Sequence, residues 1–278
     1  MTIDDIIKYS LEEDLGDGDH SSLSTIPKDA MGNARLIAKE DGVIAGLRVA
    51  EKVYKAVDDN TSFKAFVKDG DDIKIGDVIF EVRGKSISIL SAERLALNFM
   101  QRMSGVATTT KKYVDIIKGT PTTLLDTRKT TPLMRELEKE AVKLGGGDNH
   151  RMGLYDMIMI KDNHIDFAGG IPQAIMACQK YLNEHQKDLK IEIEVRSFEE
   201  LHQVMETGNI HRIMLDNFTP EDLKKALNII DRKYETEASG GITIETIREF
   251  AETGVDFISV GALTHHIKSL DLSLKAFV

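Results

Sequence analysis

The 278-residue sequence contains a single cysteine and no long apolar run, and both scarcities exclude kinds of protein. Cys178 alone cannot form an intrachain disulfide or a cysteine-based metal site. Its apolar neighbours, residues 174–177, predict that it lies on the core face of a helix. No stretch approaches the ~18 apolar residues of a membrane-spanning helix. We therefore expect neither a disulfide scaffold nor a membrane protein.

Positive charge is also scarce, because 36 lysines and arginines stand against 46 aspartates and glutamates. The formal net charge of −10 argues against nucleic-acid binding through broad charge attraction, so cations that bind anions must be concentrated locally. Residues 1–5 are acidic in part and lack the pattern of a signal peptide. With 41% hydrophobic and 29% charged residues, the composition is that of a globular protein, which we expect in the cytoplasm.

The first part of the chain has the pattern of a small α/β domain. Thr2 and Asp5 have the spacing of a capping box, which predicts a first helix. Residues 33–90 indicate short strands with one helix near residues 47–57, and Ser91 opens a long helical stretch. We place this domain at residues 1–111 and expect residues 267–278 to return to it.

From about residue 122, strand and helix patterns alternate. Strands are predicted at 123–126, 157–160, 190–195, 212–215, 235–238 and 256–260, and helices at 133–144, 170–186, 197–207, 220–231 and 243–253. Such alternation is typical of a parallel sheet covered by helices. Six strands predict an incomplete α/β barrel over residues 112–266. An open doubly wound sheet is the alternative, but polar residues follow nearly every strand rather than one switch point.

Cations stand at two of the predicted strand ends. Arg128 and Lys129 follow the first strand, Lys161 follows the second, and Arg151 lies between them in sequence. Burying cations at a strand end is unfavourable without an anion, so the pattern predicts an anion site. A solvated surface run, as at residues 111–112, is the alternative. The glycines at 145–147 allow a turn that could hold His150 and Arg151 over this site.

Carboxylates and glycine turns follow the later strands. Glu194 and Asp216 could hold Mg²⁺ or the hydroxyls of a ribose, or Glu194 could simply pair with a strand-end cation. Two turns follow the last two strands, where barrels often bind a phosphate through backbone amides; a plain tight turn is the alternative for each. These turns are Ser239-Gly240-Gly241 and Val260-Gly261-Ala262. Together these groups predict a small polyanionic substrate that contains a ribose phosphate.

These motifs, in this order, resemble those of the quinolinate phosphoribosyltransferase family, and the resemblance covers nearly the whole chain. The similar segments are residues 93–99, 104–108, 126–130, 149–154, 160–164, 192–195, 215–217 and both glycine turns. One departure is residues 18–22, where His20-Ser21-Ser22 stands in place of the family's usual Val-Thr.

The resemblance implies an N-terminal α/β sandwich followed by an incomplete barrel, in a homodimer whose subunits share active sites. Arg94 resembles the residue that the neighbouring subunit donates. The implied reaction converts quinolinate and phosphoribosyl pyrophosphate to nicotinate mononucleotide, pyrophosphate and CO₂ in NAD synthesis, with Mg²⁺ as cofactor.

Roles for individual residues follow from the resemblance. It implies that Lys129, Lys161, Glu194 and Asp216 are catalytic, with Glu194 and Asp216 as possible Mg²⁺ ligands. The implied substrate-binding residues are these four together with Arg94, Thr127, Arg128, His150, Arg151 and both glycine turns. Two alternatives are a related phosphoribosyltransferase of the molybdenum-transport-associated type and a non-catalytic phosphate-binding barrel.

Overall fold

The computed structural model describes residues 1–277, which divide into two compact units. The first unit comprises Met1–Lys111, Thr131–Gly146 and the segment from His266 onward. The second unit comprises Lys112–Thr130 and Gly147–His265. Residues 131–146 thus cluster with the first unit, although they lie inside the range expected for the barrel.

Helices and strands follow one another along the chain as the patterns indicate. The helices are α1 (Ile3–Leu15), α2 (His20–Thr25), α3 (Leu47–Val57), α4 (Ser86–Ile117), α5 (Arg135–Leu144), α6 (Asp162–Ala168), α7 (Ile171–Glu184), α8 (Phe198–Thr207), α9 (Pro220–Ile230), α10 (Ile247–Ala251) and α11 (Ala262–His265). The strands are β1 (Met31–Ala38), β2 (Gly42–Val43), β3 (Ser62–Ala65), β4 (Asp72–Ile73), β5 (Val78–Lys85), β6 (Thr123–Leu125), β7 (Ile158–Ile160), β8 (Ile191–Val195), β9 (Arg212–Asp216), β10 (Glu235–Ser239), β11 (Phe257–Ser259) and β12 (Leu272–Phe277).

The first unit is built on an antiparallel sheet in the order β12-β1-β5-β3. Its first helix, α1, begins with the capping box of Thr2 and Asp5, as expected. Helix α3 contributes Tyr54, whose ring packs edge-on against Phe80 of β5 with 5.9 Å between the centroids. This apolar packing, together with the helices, forms the core of an α/β sandwich.

Helix α5 belongs to the first unit because of what it buries. Leu137 and Ala141 are fully buried, and the carboxylate of Glu138 accepts a hydrogen bond from Arg102 of α4 at 2.8 Å. A Cβ at Gly145, just after the helix, would collide with the carbonyl oxygen of Ala107. Gly145 therefore serves close packing within this unit, whereas the sequence suggested only a turn.

The second unit is a parallel sheet of six strands in the order β6-β11-β10-β9-β8-β7. In β8, Ile191, Ile193 and Val195 alternate with Glu192 and Glu194, as expected for a strand with one apolar face. Within residues 1–277, β6 and β7 are edge strands of this sheet, so the predicted incomplete barrel is confirmed. Its parallel strands bring all six carboxyl ends to one rim.

Several local features differ from the sequence predictions. The short helices α6 and α11 were not predicted, and α10 is shorter than the interval 243–253. Cys178 lies in α7 as expected, but it is only half-buried, because this position is at the margin of the apolar face. Among residues 1–277, no helix has the length and apolar character needed to cross a bilayer.

Candidate active site

A cavity of about 740 Å³ lies at the carboxyl ends of the parallel strands. The residues that line it all belong to the second unit. They include every predicted site residue except Arg94: Thr127, Arg128, Lys129, His150, Arg151, Lys161, Glu194, Asp216, Ser239, Gly240, Gly241, Val260, Gly261 and Ala262. The rim of one sheet therefore brings together residues that are up to 135 positions apart in the chain.

The positively charged side chains of the cavity are close enough to repel one another. Burial, followed by the charge of Arg128, lowers the pKa of Arg151. The Nε atom of Arg128 is buried and has no hydrogen-bond acceptor among residues 1–277. Arg151 Nη1 donates to the carbonyl oxygen of Met157 at 3.0 Å, which fixes one side of its guanidinium group. An anion bound here would relieve both the mutual repulsion and the missing hydrogen bond.

The two carboxylates occupy neighbouring strands. Lys161 Nζ donates to Glu194 Oε2 at 3.1 Å, so part of the Glu194 charge is already balanced. Burial, followed by the charge of Glu194, raises the pKa of Asp216. Two hard carboxylates whose charges repel each other suit a divalent cation or the hydroxyls of a diol. The residues present therefore fit Mg²⁺.

The two glycine turns approach the cavity in different ways. Gly240 has a left-handed φ of 97°, and a Cβ there would collide with the Asn217 side chain. At Gly261, a Cβ would lie 2.8 Å from His265 Nε2 and 3.1 Å from Lys129 Cδ. Gly240 and Gly261 both line the cavity, and a residue without a side chain would let a bound phosphate approach the backbone at each turn.

His150 is held by the protein at several points. Its backbone N–H donates to Asp126 Oδ1 at 2.9 Å, and its Nδ1 accepts a hydrogen bond from the Arg151 backbone N–H at 2.7 Å. Its Nε2 lies 2.9 Å from Glu192 Oε2. Both ring nitrogens therefore contact protein atoms, and His150 also lines the cavity, where the sequence interpretation gives it a role in orienting the acid or binding a carboxylate.

Some residues of the cavity were missed in the sequence. Arg94, the predicted site residue that does not line it, lies on α4 and is exposed in the first unit. The missed residues are Met159, Met214, Asn217, Glu237, Ile242, Thr243, Ser259 and His265. Alternation in β10 was a signal for Glu237, because it places Glu237 on the same face as Ser239. His265 had no comparable signal, since the short helix α11 was not expected.

Comparison with known proteins identifies the family. The description "Quinolinate phosphoribosyl transferase, N-terminal domain" matches residues 19–104, and the corresponding C-terminal domain matches residues 106–275. The chain is 45% identical over 285 residues to a quinolinate phosphoribosyltransferase [decarboxylating] of Nicotiana tabacum, covering 97% of this chain and 81% of that protein. It is 40% identical to a probable nicotinate-nucleotide pyrophosphorylase [carboxylating] of Bacillus subtilis, covering 97% and 91%.

Solved structures agree with this relationship. The nicotinate-nucleotide pyrophosphorylase of Francisella tularensis superposes with a TM-score of 0.93 at 40% identity, covering 99% of this chain and 96% of the other. With both domains matched and the cavity residues in place, the chain belongs to the quinolinate phosphoribosyl transferase family.

Proposed function

We propose that this protein joins quinolinate to the ribose of phosphoribosyl pyrophosphate and releases pyrophosphate and CO₂ to give nicotinate mononucleotide, a step of NAD synthesis. The observation that carries the proposal is the single cavity that unites cations, carboxylates and glycine turns. Each group matches one part of the two substrates. The names of the relatives from tobacco and Bacillus support the same reaction.

Quinolinate carries two adjacent carboxylates, and the cations of the cavity suit them. Arg128 and Arg151 offer planar donor forks, and Lys161 adds a movable point charge. The unpartnered Nε of Arg128 and the close approach of the two guanidinium groups favour an anion between them. Thr127 adjoins this group and lines the same cavity.

The ribose and its phosphates fit the other side of the cavity. Glu194 and Asp216 would hold the ribose hydroxyls or Mg²⁺, which neutralises charge on a departing pyrophosphate when bound. The backbone at the two glycine turns would receive the 5′-phosphate, with His265 beside Gly261 as a further donor. Lys129 lies against the same turn and would stabilise the leaving group.

The chemistry requires no side-chain nucleophile. The pyridine nitrogen attacks ribose C1, the C1–O bond breaks, and pyrophosphate leaves with the bonding electrons. The ring is then a pyridinium, which stabilises the electron pair left at C2 when the carboxyl group departs as CO₂. A proton from solvent completes the product. The chain's own contribution is to orient the two substrates and to balance their charges.

We further propose that the active form is a homodimer in which Arg94 of the neighbouring subunit completes the quinolinate site. Arg94 is exposed on the first unit and is not among the residues that line the cavity. A guanidinium group from another subunit would supply one more donor for the second carboxylate. A cytoplasmic location is part of the proposal, and cell fractionation would test it.

Release of labelled CO₂ tests the function. Purified protein is incubated with phosphoribosyl pyrophosphate and quinolinate that carries the label in its 2-carboxyl group, with Mg²⁺ or with a chelator. We expect CO₂ and nicotinate mononucleotide in equal amounts, and loss of both without Mg²⁺. Turnover of nicotinate in preference to quinolinate would favour a related transferase. Binding of phosphoribosyl pyrophosphate without turnover of any pyridine acid would favour a non-catalytic barrel.

A further inference from the structure

A group of charged residues, two of which line the cavity, has no assigned part in the proposed reaction. This buried cluster consists of His150, Glu192, Arg212 and Glu237, on the loop before β7 and on strands β8, β9 and β10. Glu192 and Glu237 have no exposed surface at all. Burying two carboxylates is unfavourable unless the protein gains something from their interactions.

His150 connects this cluster with the cavity. Its Nε2 lies 2.9 Å from Glu192 Oε2 and 3.3 Å from Glu237 Oε2. Its Nδ1 accepts the hydrogen bond from the Arg151 backbone N–H. Burial lowers the pKa of the His150 ring, but the carboxylates of Glu192 and Glu237 raise it overall, to about 9. The contact with the Arg151 backbone N–H nevertheless requires a lone pair on Nδ1, because a backbone N–H is always a donor, so the geometry places the ring proton on Nε2. The N–H of the ring is thereby shared between the two carboxylates.

The same geometry argues against a metal site. One histidine and two carboxylates are a common ligand set, and their ligand atoms lie within 4.8 Å of one another. With the proton on Nε2, however, the ring has no lone pair to offer on that side. Arg212 Nη1 also donates to Glu237 Oε2 at 3.0 Å, so this carboxylate oxygen already has a positively charged partner. The cluster is therefore a hydrogen-bond and ion-pair network.

The charges of the network are distributed unequally. Burial alone would raise the pKa of Glu237, but the hydrogen bond from His150 and the charge of Arg212 lower it overall. Burial, followed by the charge of Glu237, raises the pKa of Glu192 to about 7. Glu237 accordingly contacts both the Arg212 guanidinium group and the His150 ring, whereas the contact of Glu192 is with the ring.

We infer that Glu192 and Glu237 are positioning residues that act through the His150 ring. They hold the ring against the backbone N–H of Arg151, and so they set where the Arg151 guanidinium group stands in the cavity. The role rests on the proposed function, because Arg151 is the residue proposed to bind quinolinate. No part of the network needs to contact a substrate.

The surrounding contacts explain why this anchor matters. Asp126, which directly follows strand β6, holds the His150 backbone, and Met157 holds the Arg151 guanidinium group. The imidazole ring is the contact that ties the loop to the interior between β8 and β10. A misplacement of the loop by a fraction of an ångström is enough to impair a binding group that must match a rigid planar acid.

Steady-state kinetics of isosteric variants test the inference. In Glu192→Gln and Glu237→Gln, an amide replaces the carboxyl group beside the ring without a change of volume. We expect the KM for quinolinate to rise about tenfold, and the KM for phosphoribosyl pyrophosphate to change less than about twofold. Glu235→Gln is the matched control, since Glu235 also binds Arg212 from β10 but does not approach His150. Equal effects of all three variants on quinolinate would overturn the inference.

Nitrogen NMR of the histidine rings shows which ring nitrogen carries the proton. A residue with only a structural role would not change this. The His150 signal is identified by its absence in His150→Gln. We expect the Nε2–H form in the wild-type protein and in Glu235→Gln, and a mixture of ring forms in Glu192→Gln. The other histidine signals report whether a variant remains folded. An Nδ1–H form in the wild type, or an unchanged His150 signal in Glu192→Gln, contradicts the network.

The two measurements separate the inference from the proposed function. The NMR experiment uses the protein without substrate, so it tests the network even if quinolinate is not turned over. A protein that turns over quinolinate and shows the wrong ring form refutes only the positioning role. If Glu237→Gln does not fold, Glu192→Gln and its control suffice for both readings.

Discussion

The side-chain amide of Asn217 donates a hydrogen bond to the carboxylate of Asp216, with 2.6 Å between Nδ2 and Oδ2. Asn217 has a left-handed φ of 57°, which asparagine tolerates better than most residues. Its backbone N–H donates to Ser239 O at 2.8 Å, and its side chain occupies the space beside Gly240. One residue thus orients a predicted metal or ribose ligand and shapes a predicted phosphate turn.

Replacement of Asn217 by aspartate should therefore impair the phosphoribosyl side of the reaction. The new carboxylate would repel Asp216 where the amide now donates. We expect kcat/KM for phosphoribosyl pyrophosphate to fall about tenfold or more, which corresponds to a lost charge-assisted hydrogen bond. Asn209→Asp is the control, because Asn209 also has a positive φ but does not line the cavity. Equal activity of the two variants would refute this role of Asn217.

The two glycine turns should respond differently to a methyl group. In Gly240→Ala, the Cβ meets Asn217 and the residue must keep a left-handed φ, so we expect a loss of stability of ~1–3 kcal/mol. In Gly261→Ala, the nearest atoms belong to the movable side chains of His265 and Lys129. That variant should fold and bind phosphoribosyl pyrophosphate more weakly. Thermal unfolding and calorimetry distinguish the effects, and wild-type affinity of Gly261→Ala would contradict the phosphate site.

The quinolinate site is best probed at Arg128. The buried Nε of Arg128 has no acceptor among residues 1–277. Replacing this arginine therefore leaves no carboxylate of the protein without a hydrogen bond from that atom. We expect Arg128→Ala to weaken quinolinate binding by ~1.5–3 kcal/mol, and Arg128→Lys to recover little, because lysine has no planar fork. Calorimetry measures both. Arg196→Ala, which removes an exposed arginine paired with Glu200, should leave binding unchanged.

Arg151→Ala and Lys161→Ala should also weaken quinolinate binding about ten- to a hundredfold. Lys161 differs from Arg151 because its Nζ pairs with Glu194 at 3.1 Å. Its loss should therefore affect phosphoribosyl pyrophosphate as well, whereas Arg151→Ala should affect quinolinate alone. Affinities for both substrates, measured by calorimetry, would show whether the two cations differ in this way.

Mixed dimers test whether Arg94 acts across subunits. Arg94→Ala and Lys161→Ala homodimers should each be nearly inactive. After subunit exchange, half of the dimers are mixed, and one of the two sites in each carries neither defect, so activity should recover to about a quarter of wild type. Mass spectrometry establishes the mixed species. Mixed dimers without recovered activity would place Arg94 outside the neighbour's site.

Stability should depend on pH in a way that Glu192 controls. Its pKa is about 7 in the folded protein and near 4.5 when unfolded, so the folded state binds the proton more tightly. The stability that this difference in proton binding contributes is fully present below pH 4.5 and is lost as the pH rises through 7. From pH 5 to 8, the free energy of unfolding of Glu192→Gln should gain ~1–3 kcal/mol relative to wild type. Urea unfolding at several pH values measures this difference.

Glu235→Gln is again the matched control, because the pKa of Glu235 is shifted in the opposite direction from that of Glu192. Burial would raise the pKa of Glu235, but its hydrogen bond with Arg212 lowers it overall. Its contribution to stability is therefore present above pH 4.5 and persists as the pH rises, so this variant should not gain relative to wild type. A parallel pH dependence for both variants would refute the assignment of the proton to Glu192.

The sequence predicted the framework well because alternation and strand ends leave local signals. Glu192 and Glu194 alternate with three apolar residues, and this pattern alone indicates a strand with one polar face. The alternation in β10 indicated a polar face for Glu237 in the same way. The role of its carboxylate, however, depends on the contact with His150, which is distant in sequence. Asn217 belongs to a segment that carries the family resemblance, but its role could not be predicted, because it depends on a left-handed backbone that no residue pattern specifies.

Positions that depend on packing were harder to infer. Residues 131–146 have a helical pattern, but nothing in that pattern reveals that Glu138 contacts Arg102 in the first unit. Gly145 suggested a flexible turn. In the structure, the backbone of Ala107 lies so close that only a residue without a side chain fits at this position. Long-range contacts of this kind follow from the three-dimensional arrangement and leave no periodic trace.

Strand β12 pairs along its length with β1, so the sheet of the first unit joins residues 33–38 to residues 272–277. During synthesis, β1 emerges from the ribosome long before its neighbour, with one edge of its backbone still without its final partner. The second unit has its whole parallel sheet available earlier, because β11 ends at Ser259. The order of translation therefore allows the catalytic portion to fold first. The sheet of the first unit can be completed only after β12 has been synthesised.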